Sequence, residues 1–234
     1  MNVTPGKRIF RELERRGIRP SHVMEVGVYF PETSNVYDWI EAGVRATLVE
    51  PDPASIARIR ERFAGHANVE LHPVAIVEEP GPVRLVQRNA STFLSTVASS
   101  PALVNDGYRL DEADTFEVLG VRCDAVDDGT VDVLSVDVEG SEWGVIQGLR
   151  SRPAVISVET HGAAYVNPHW SDIHAWMERE GYAVWYRDRT DTVFARRSVI
   201  TPNRVDRLRL WAMNGYLALR RQRKRLSRRL KRRA

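Results

Sequence analysis

The chain has 234 residues, enough for one large α/β domain, and its 43% hydrophobic and 28% charged residues are those of a soluble globular protein, with no run near the roughly 18 apolar residues of a membrane span. Met1 to Arg16 carries basic residues with no apolar core behind them, so a secretory leader is not expected, and Cys123 as the only cysteine excludes an internal disulfide and a cysteine-based zinc site; a cytoplasmic protein is expected. The net charge of +3 conceals two opposed parts, because residues from Thr201 onward hold 13 Lys and Arg against one acid, giving +12, and leave 21 basic and 30 acidic residues, or −9, in residues 1–200.

Thr4-Pro5 supplies an N-cap and a favoured first helical residue ahead of Ile9, Phe10 and Leu13, and Gly17 with Pro20 closes that stretch, which predicts a leading helix within residues 1–20. Short Val- and Ile-rich runs then predict strands over His22–Val26, Ala46–Glu50, Val69–Val74, Val131–Val136 and Ala154–Glu159. Between the first two, Val36, Tyr37, Ile40 and Val44 recur at helical spacing, as do Ile56, Ile59 and Phe63 after the second. Strands alternating with helices imply a mostly parallel sheet with helices on both faces. Tyr182–Arg187 and Thr192–Arg196, joined by Asp188 to Asp191, read as a closing antiparallel hairpin. Residues 1–200 are therefore expected to form one domain, and residues 201–234 a basic helix or tail appended to it.

Ligands of open parallel sheets sit beyond the carboxyl ends of the strands, so the residues leaving each strand carry the functional expectation. The first strand delivers Glu25-Val26-Gly27, an acid and a glycine that lets the backbone come close to a nucleotide-like ligand, although a plain strand-to-helix turn needs no more than this. The second delivers Glu50-Pro51-Asp52. Glu50 stands about 20 residues beyond the glycine, the spacing of a carboxylate that accepts hydrogen bonds from ribose hydroxyls, while Asp52 suits a helix N-cap without any cofactor. The fourth delivers Asp137, Glu139 and Glu142 within six residues. Their mutual repulsion is relieved if they hold a cation, share a proton, bind donors or cap the next helix. The fifth adds Glu159 and His161. Asp137, Glu159 and His161 then form either an oxygen and nitrogen set for a divalent metal such as Mg2+, with Asp137 and Glu159 as its carboxylates, or a base, Asp137 or His161, with an orienting acid.

The run VDVLSVDVEGSEWGVIQGL, preceded by VRCDAVDDG and followed by PAVISVETHG, resembles the signature of the FkbM-type methyltransferases, and TLVEPDP and NVELHPVAI fall where that family has its ribose acid and third strand. The similarity covers about Val23 to Arg196. It implies a Rossmann-like class I methyltransferase domain of seven strands that binds S-adenosylmethionine and methylates hydroxyls of sugars or other secondary metabolites. On that resemblance Glu25, Gly27, Glu50, Pro51 and Ala75 are the expected cofactor contacts, Asp137 and His161 the catalytic residues, and a small molecule or glycan the acceptor. One departure is visible: the glycine-rich first motif is reduced to Gly27, with VYFPETSN in place of a second glycine. Asn167-Pro168-His169-Trp170 partly matches the Asn-Pro-Pro-aromatic element of amino-group methyltransferases, but it lacks the second proline and follows the fifth strand instead of the fourth. The alternatives are a cofactor-binding protein of the same fold without activity, suggested by the reduced loop, and a nucleic-acid methyltransferase, suggested by the tail alone.

In the tail, Val205, Leu208, Ala212, Tyr216, Leu219, Leu226 and Leu230 recur three, four or seven apart, predicting a helix with an apolar stripe and a basic face, and Arg220 to Ala234 contains ten Lys or Arg. A solvated tail is the plain expectation. An anionic membrane surface, worth roughly 1 kcal/mol per basic residue, is the partner that fits it, peripheral to an otherwise cytoplasmic protein; nucleic acid fits less well, and a homo-oligomer is compatible with the sequence.

Overall fold

The computed structural model describes residues 7–88, 91–94, 115–162 and 165–231; the predicted capping pair Thr4-Pro5 lies outside them. In chain order the elements are α1 (Arg8–Glu14), β1 (His22–Val26), α2 (Tyr37–Glu41), β2 (Arg45–Val49), α3 (Pro53–Arg62), β3 (Val69–His72), β4 (Ala75–Ile76), β5 (Gly81–Arg88), β6 (Ser91–Leu94) and β7 (Thr115–Val121). There follow β8 (Val133–Val136), α4 (Glu142–Gln147), β9 (Val155–Glu159), α5 (Trp170–Arg179), β10 (Tyr182–Arg187), β11 (Asp191–Arg196) and α6 (Arg204–Lys231).

Seven strands form one sheet in the order β10-β11-β9-β8-β1-β2-β3. β3, β2, β1, β8 and β9 run parallel, and β11 pairs antiparallel with both β9 and β10. This is the Rossmann-like class I methyltransferase sheet, with its antiparallel hairpin at one edge. Alternation along the strands divides the core into two layers. Val23, Val133 and Val155 face one cluster with Leu13, Trp39, Ile40 and Ile59, whereas Met24, Leu134 and Ile156 face the other with Val145, Ile146, Ile173 and Trp176. Both faces are thus covered by helices, which is why β1 and β9 read as unbroken buried runs. Asp52 caps α3 by accepting the Ser55 N–H at 2.9 Å, with Pro53 in the first turn where its missing N–H costs nothing.

A second sheet, in the order β4-β7-β5-β6, departs from the sequence expectation, which placed no strands there and carried the third strand of the main sheet through to Val74. The chain leaves β3 at His72 and Ala75 begins pairing with β7 instead. The two long strands of this sheet, β5 and β7, are antiparallel, and Ala75, Val77 and Leu85 form a small core with Val83, Phe116 and Val118. The sheet gives the site one of its walls.

Candidate active site

β1 pairs with β2 on one side and β8 on the other, so chain connections diverge beyond its carboxyl end and leave a crevice. An open cavity of about 960 Å3, solvent included, lies there. It is lined from β1 by Glu25, Val26 and Gly27, from β2 by Val49, Glu50 and Pro51, and from β8 by Asp137, Val138 and Glu139. Val74, Ala75, Ile76 and Leu85 supply an apolar wall.

Gly27 also serves a packing purpose that its position alone did not suggest. Its φ is +84°, and a Cβ there would lie 1.8 Å from the backbone oxygen of Asp137. The glycine allows the loop after β1 to touch the loop after β8, while Gly27 itself also lines the cavity. Tyr29 and Glu139, also in the lining, hold left-handed backbones at φ 52° and 54° without being glycine, a conformation that costs about 1–3 kcal/mol and concentrates at functional sites.

Glu50 is buried and accepts the N–H groups of Val28 at 3.0 Å and Tyr29 at 2.8 Å on Oε2, and that of Asp52 at 2.8 Å on Oε1. Three backbone donors therefore occupy a carboxylate that offers about four acceptor positions. Glu50 pins the reduced glycine loop to the tip of β2 and keeps room for about one further donor, fewer than two ribose hydroxyls would use. Burial raises its proton affinity, and the three amides oppose that shift. Glu25 is bound by the Ser34 hydroxyl and by the Asn35 N–H at 2.9 Å, and burial pushes it up to about 7. The Asn35 amide in turn reaches Ser135 Oγ on β8 at 3.0 Å.

The acids of the Asp-x-Glu-Gly-x-Glu run divide by role. Glu142 is fully buried and takes the N–H groups of Val138 and Gly140 at 3.3 and 3.0 Å, with the Asn167 side chain on its other oxygen. It is a clamp for the loop that presents Asp137. Asn167, whose Oδ1 also accepts the His169 N–H at 2.8 Å, is part of that clamp and does not line the cavity. Asp137 opens onto the cavity yet is densely surrounded by protein, and desolvation, then the charges of Asp191, Glu139, Glu142 and Glu25, hold its carboxyl well above the usual range. Glu159 is buried behind it with Oε2 lacking a hydrogen-bond partner among the described residues, and burial together with Asp137 and Glu139 pushes it up to about 11. The raised proton affinities of Asp137 and Glu159, with the backbone donors on Glu142, thus relieve the repulsion. Among the described residues no group of three or more His, Cys, Asp or Glu is arranged to hold a metal ion, so the metal alternative gains no support from geometry.

His161 lies apart from the other candidate residues. Its Nε2 must carry the proton, because its partner at 3.1 Å is the Asp188 carbonyl, and its Nδ1 then accepts from Thr160 Oγ1 at 2.8 Å. Both nitrogens are occupied, burial lowers its proton affinity, and the ring is absent from the cavity lining. The fifth strand does deliver it next to Glu159 in sequence, but it turns toward the β10–β11 hairpin. Sequence reasoning missed Ser141, a lining residue whose buried Oγ has no partner among the described residues, and Leu85, whose strand was not foreseen. Ser141 lay inside the acidic motif but carried no charge to attract notice.

A family model described as "Methyltransferase FkbM domain" matches residues 25–184. No curated protein sequence matches the chain. Solved structures similar to it include the ribosomal protein L11 methylase of Lactobacillus delbrueckii subsp. bulgaricus, at 11% identity and TM-score 0.41 over 80% of this chain and 75% of that one. Another is the precorrin-6y C5,15-methyltransferase of Geobacter metallireducens GS-15, at 14% identity and TM-score 0.38 over 83% and 89% of the two chains. The glycopeptide N-methyltransferase MtfA complexed with sinefungin resembles it at 13% identity and TM-score 0.40, over 82% and 86%. These likenesses are too distant to bear on the acceptor.

Proposed function

The chain belongs to the FkbM methyltransferase family, and from that premise we propose that it transfers a methyl group from S-adenosylmethionine to a hydroxyl of a small-molecule or glycan acceptor. The observation that carries the proposal is a cavity at the carboxyl ends of β1, β2 and β8 that is acidic on one side, with Glu25, Glu50, Asp137 and Glu139, and apolar on the other, with Pro51, Val74, Ala75, Ile76 and Leu85. A ligand with a sulfonium and an ammonium at one end and a flat base at the other matches that division.

When bound, S-adenosylmethionine supplies a methyl group on a positively charged sulfur. Glu50 holds the loop at Val28 and Tyr29 and offers its remaining acceptor position to a ribose hydroxyl. Glu25 and Asp137 face the cationic end. A cation in the cavity opposes the neighbouring acids that raise the proton affinity of Asp137, and so favours its carboxylate form where the acceptor hydroxyl approaches. Asp137 takes that proton, and the surrounding walls orient the hydroxyl oxygen for in-line attack. Ser141 Oγ is free to position a second acceptor group.

Asp137→Asn keeps the shape and removes the base. Methyl transfer to an accepted hydroxyl, followed with labelled cofactor, should drop at least ~10²-fold while cofactor affinity changes little. A chelator should leave wild-type activity unchanged; loss of activity restored by magnesium would replace the base with a metal. Normal turnover by Asp137→Asn would remove the residue from the chemistry.

A further inference from the structure

The helix α6 has two apolar faces, and only one of them meets the domain. On its inner side Leu217 is buried and Leu210 and Met213 are half-buried where the helix lies on β10, with Asp206 paired to Arg16 at 3.0 Å and Asn214 accepting from Arg187 at 3.0 Å. The outer side carries Val205, Leu208, Trp211, Tyr216 and Leu219, which are 53%, 64%, 74%, 46% and 60% exposed. Five of the eight large hydrophobic side chains exposed among the described residues therefore sit on this one helix. Val205, Leu208, Tyr216 and Leu219 fall within one stripe at 3.6-residue periodicity, and Trp211 borders it. Exposed arginines, Arg204, Arg207, Arg209 and Arg223, flank the apolar side chains, and the sequence continues with a further six Lys or Arg after Lys224.

We propose that the outer face of α6 is a membrane-docking surface that lies in the headgroup region of an anionic phospholipid layer, with Trp211, Leu208 and Leu219 inserted and the arginines on the phosphates. A helix held to the domain by one face, apolar on the other and fringed with cations matches an interfacial helix, whose binding combines buried apolar area with attraction to anionic lipid. A nucleic acid would use the same charge but gives no use for the apolar stripe. A second copy would cover the stripe but would bring two tails of +12 together. The lipid surface accounts for both features, and Trp at such a boundary is the usual anchor.

The test uses the full chain and vesicles of mixed phosphatidylcholine and phosphatidylglycerol, with pure phosphatidylcholine and a duplex DNA as comparison ligands. The variant Leu208→Ser/Trp211→Ser/Leu219→Ser changes only exposed side chains and no charge, and an unchanged circular dichroism melt shows that the fold is retained. The expected result is binding to the mixed vesicles that weakens with salt and at least ~10-fold weaker partitioning of the triple variant, with duplex DNA binding left as it was. Equal vesicle binding by wild type and triple variant would overturn the proposal, leaving only a charge effect. It is equally overturned if the wild type ignores the vesicles, whether it then binds the duplex or proves by light scattering to be a dimer that the triple variant dissociates.

Discussion

A single side chain shows how the acidic cluster is kept in the fold. Glu159 lies behind Asp137 with an unpartnered Oε2 and a carboxyl pushed up to about 11 by burial and neighbouring acids, so in the folded chain it holds its proton at neutral pH. Unfolding returns it to the ordinary range near 4.5. The folded state therefore binds the extra proton, and the stability linked to Glu159 is full below the unfolded value and is lost as pH rises toward the folded one. Glu159→Gln mimics the protonated form. Thermal melts should show the variant gaining on the wild type progressively from pH 5 to pH 9; a difference that does not change over that range would mean that Glu159 is ionised in the fold. The sequence displayed the acids but not their division of labour. Asp137, Glu139 and Glu142 look alike as letters, and only the backbone amides of Val138 and Gly140 mark Glu142 as a clamp. The placement of His161 was hidden for the related reason that its partners, Thr160 Oγ1 and the Asp188 carbonyl, depend on where a distant hairpin lies.

At the scale of elements, the cavity exists because two loops touch. The turn after β1 and the turn after β8 approach through Gly27, whose absent Cβ makes room for the Asp137 carbonyl. Gly27→Ala introduces both a left-handed alanine and a contact that no rotamer relieves, which should cost at least ~2 kcal/mol and lower the melting temperature by about 5 °C or more, with cofactor affinity reduced as well. A melting temperature within a degree of wild type would show that the loops are free to separate. The parallel strands and the hairpin were readable because their apolar runs are short, bounded and for the most part buried; observed and predicted limits agree to within two residues for all seven of these strands, the third ending at His72 instead of Val74. The β4–β7 sheet escaped because it is half-exposed. Its signal was the alternation of Val83 with Leu85 and of Phe116 with Val118, weakened by Pro82 and by the exposed Leu119, and its long strands pair across a stretch of chain that carries no local cue.

For the whole molecule, the opposed charges have a structural counterpart. The body, at −9, concentrates acids around a cavity suited to a cationic cofactor, while the +12 segment contains the helix Arg204–Lys231, docked on the hairpin edge with its basic and apolar outer side turned away. Family, fold class and the three strand ends that build the cavity were legible in sequence, because motif spacing fixes which residues leave the strands. The second bonding partner of each acid was not, since that depends on loops brought together only by folding. If the cavity binds S-adenosylmethionine with Glu50 at its ribose side, calorimetric titration of the full chain and of Glu50→Ala with S-adenosylmethionine should give one site on the wild type and affinity at least ~10-fold weaker in the variant, as loss of a charged acceptor and of the loop it pins requires. No binding to the wild type, or equal affinity in the two proteins, would contradict it.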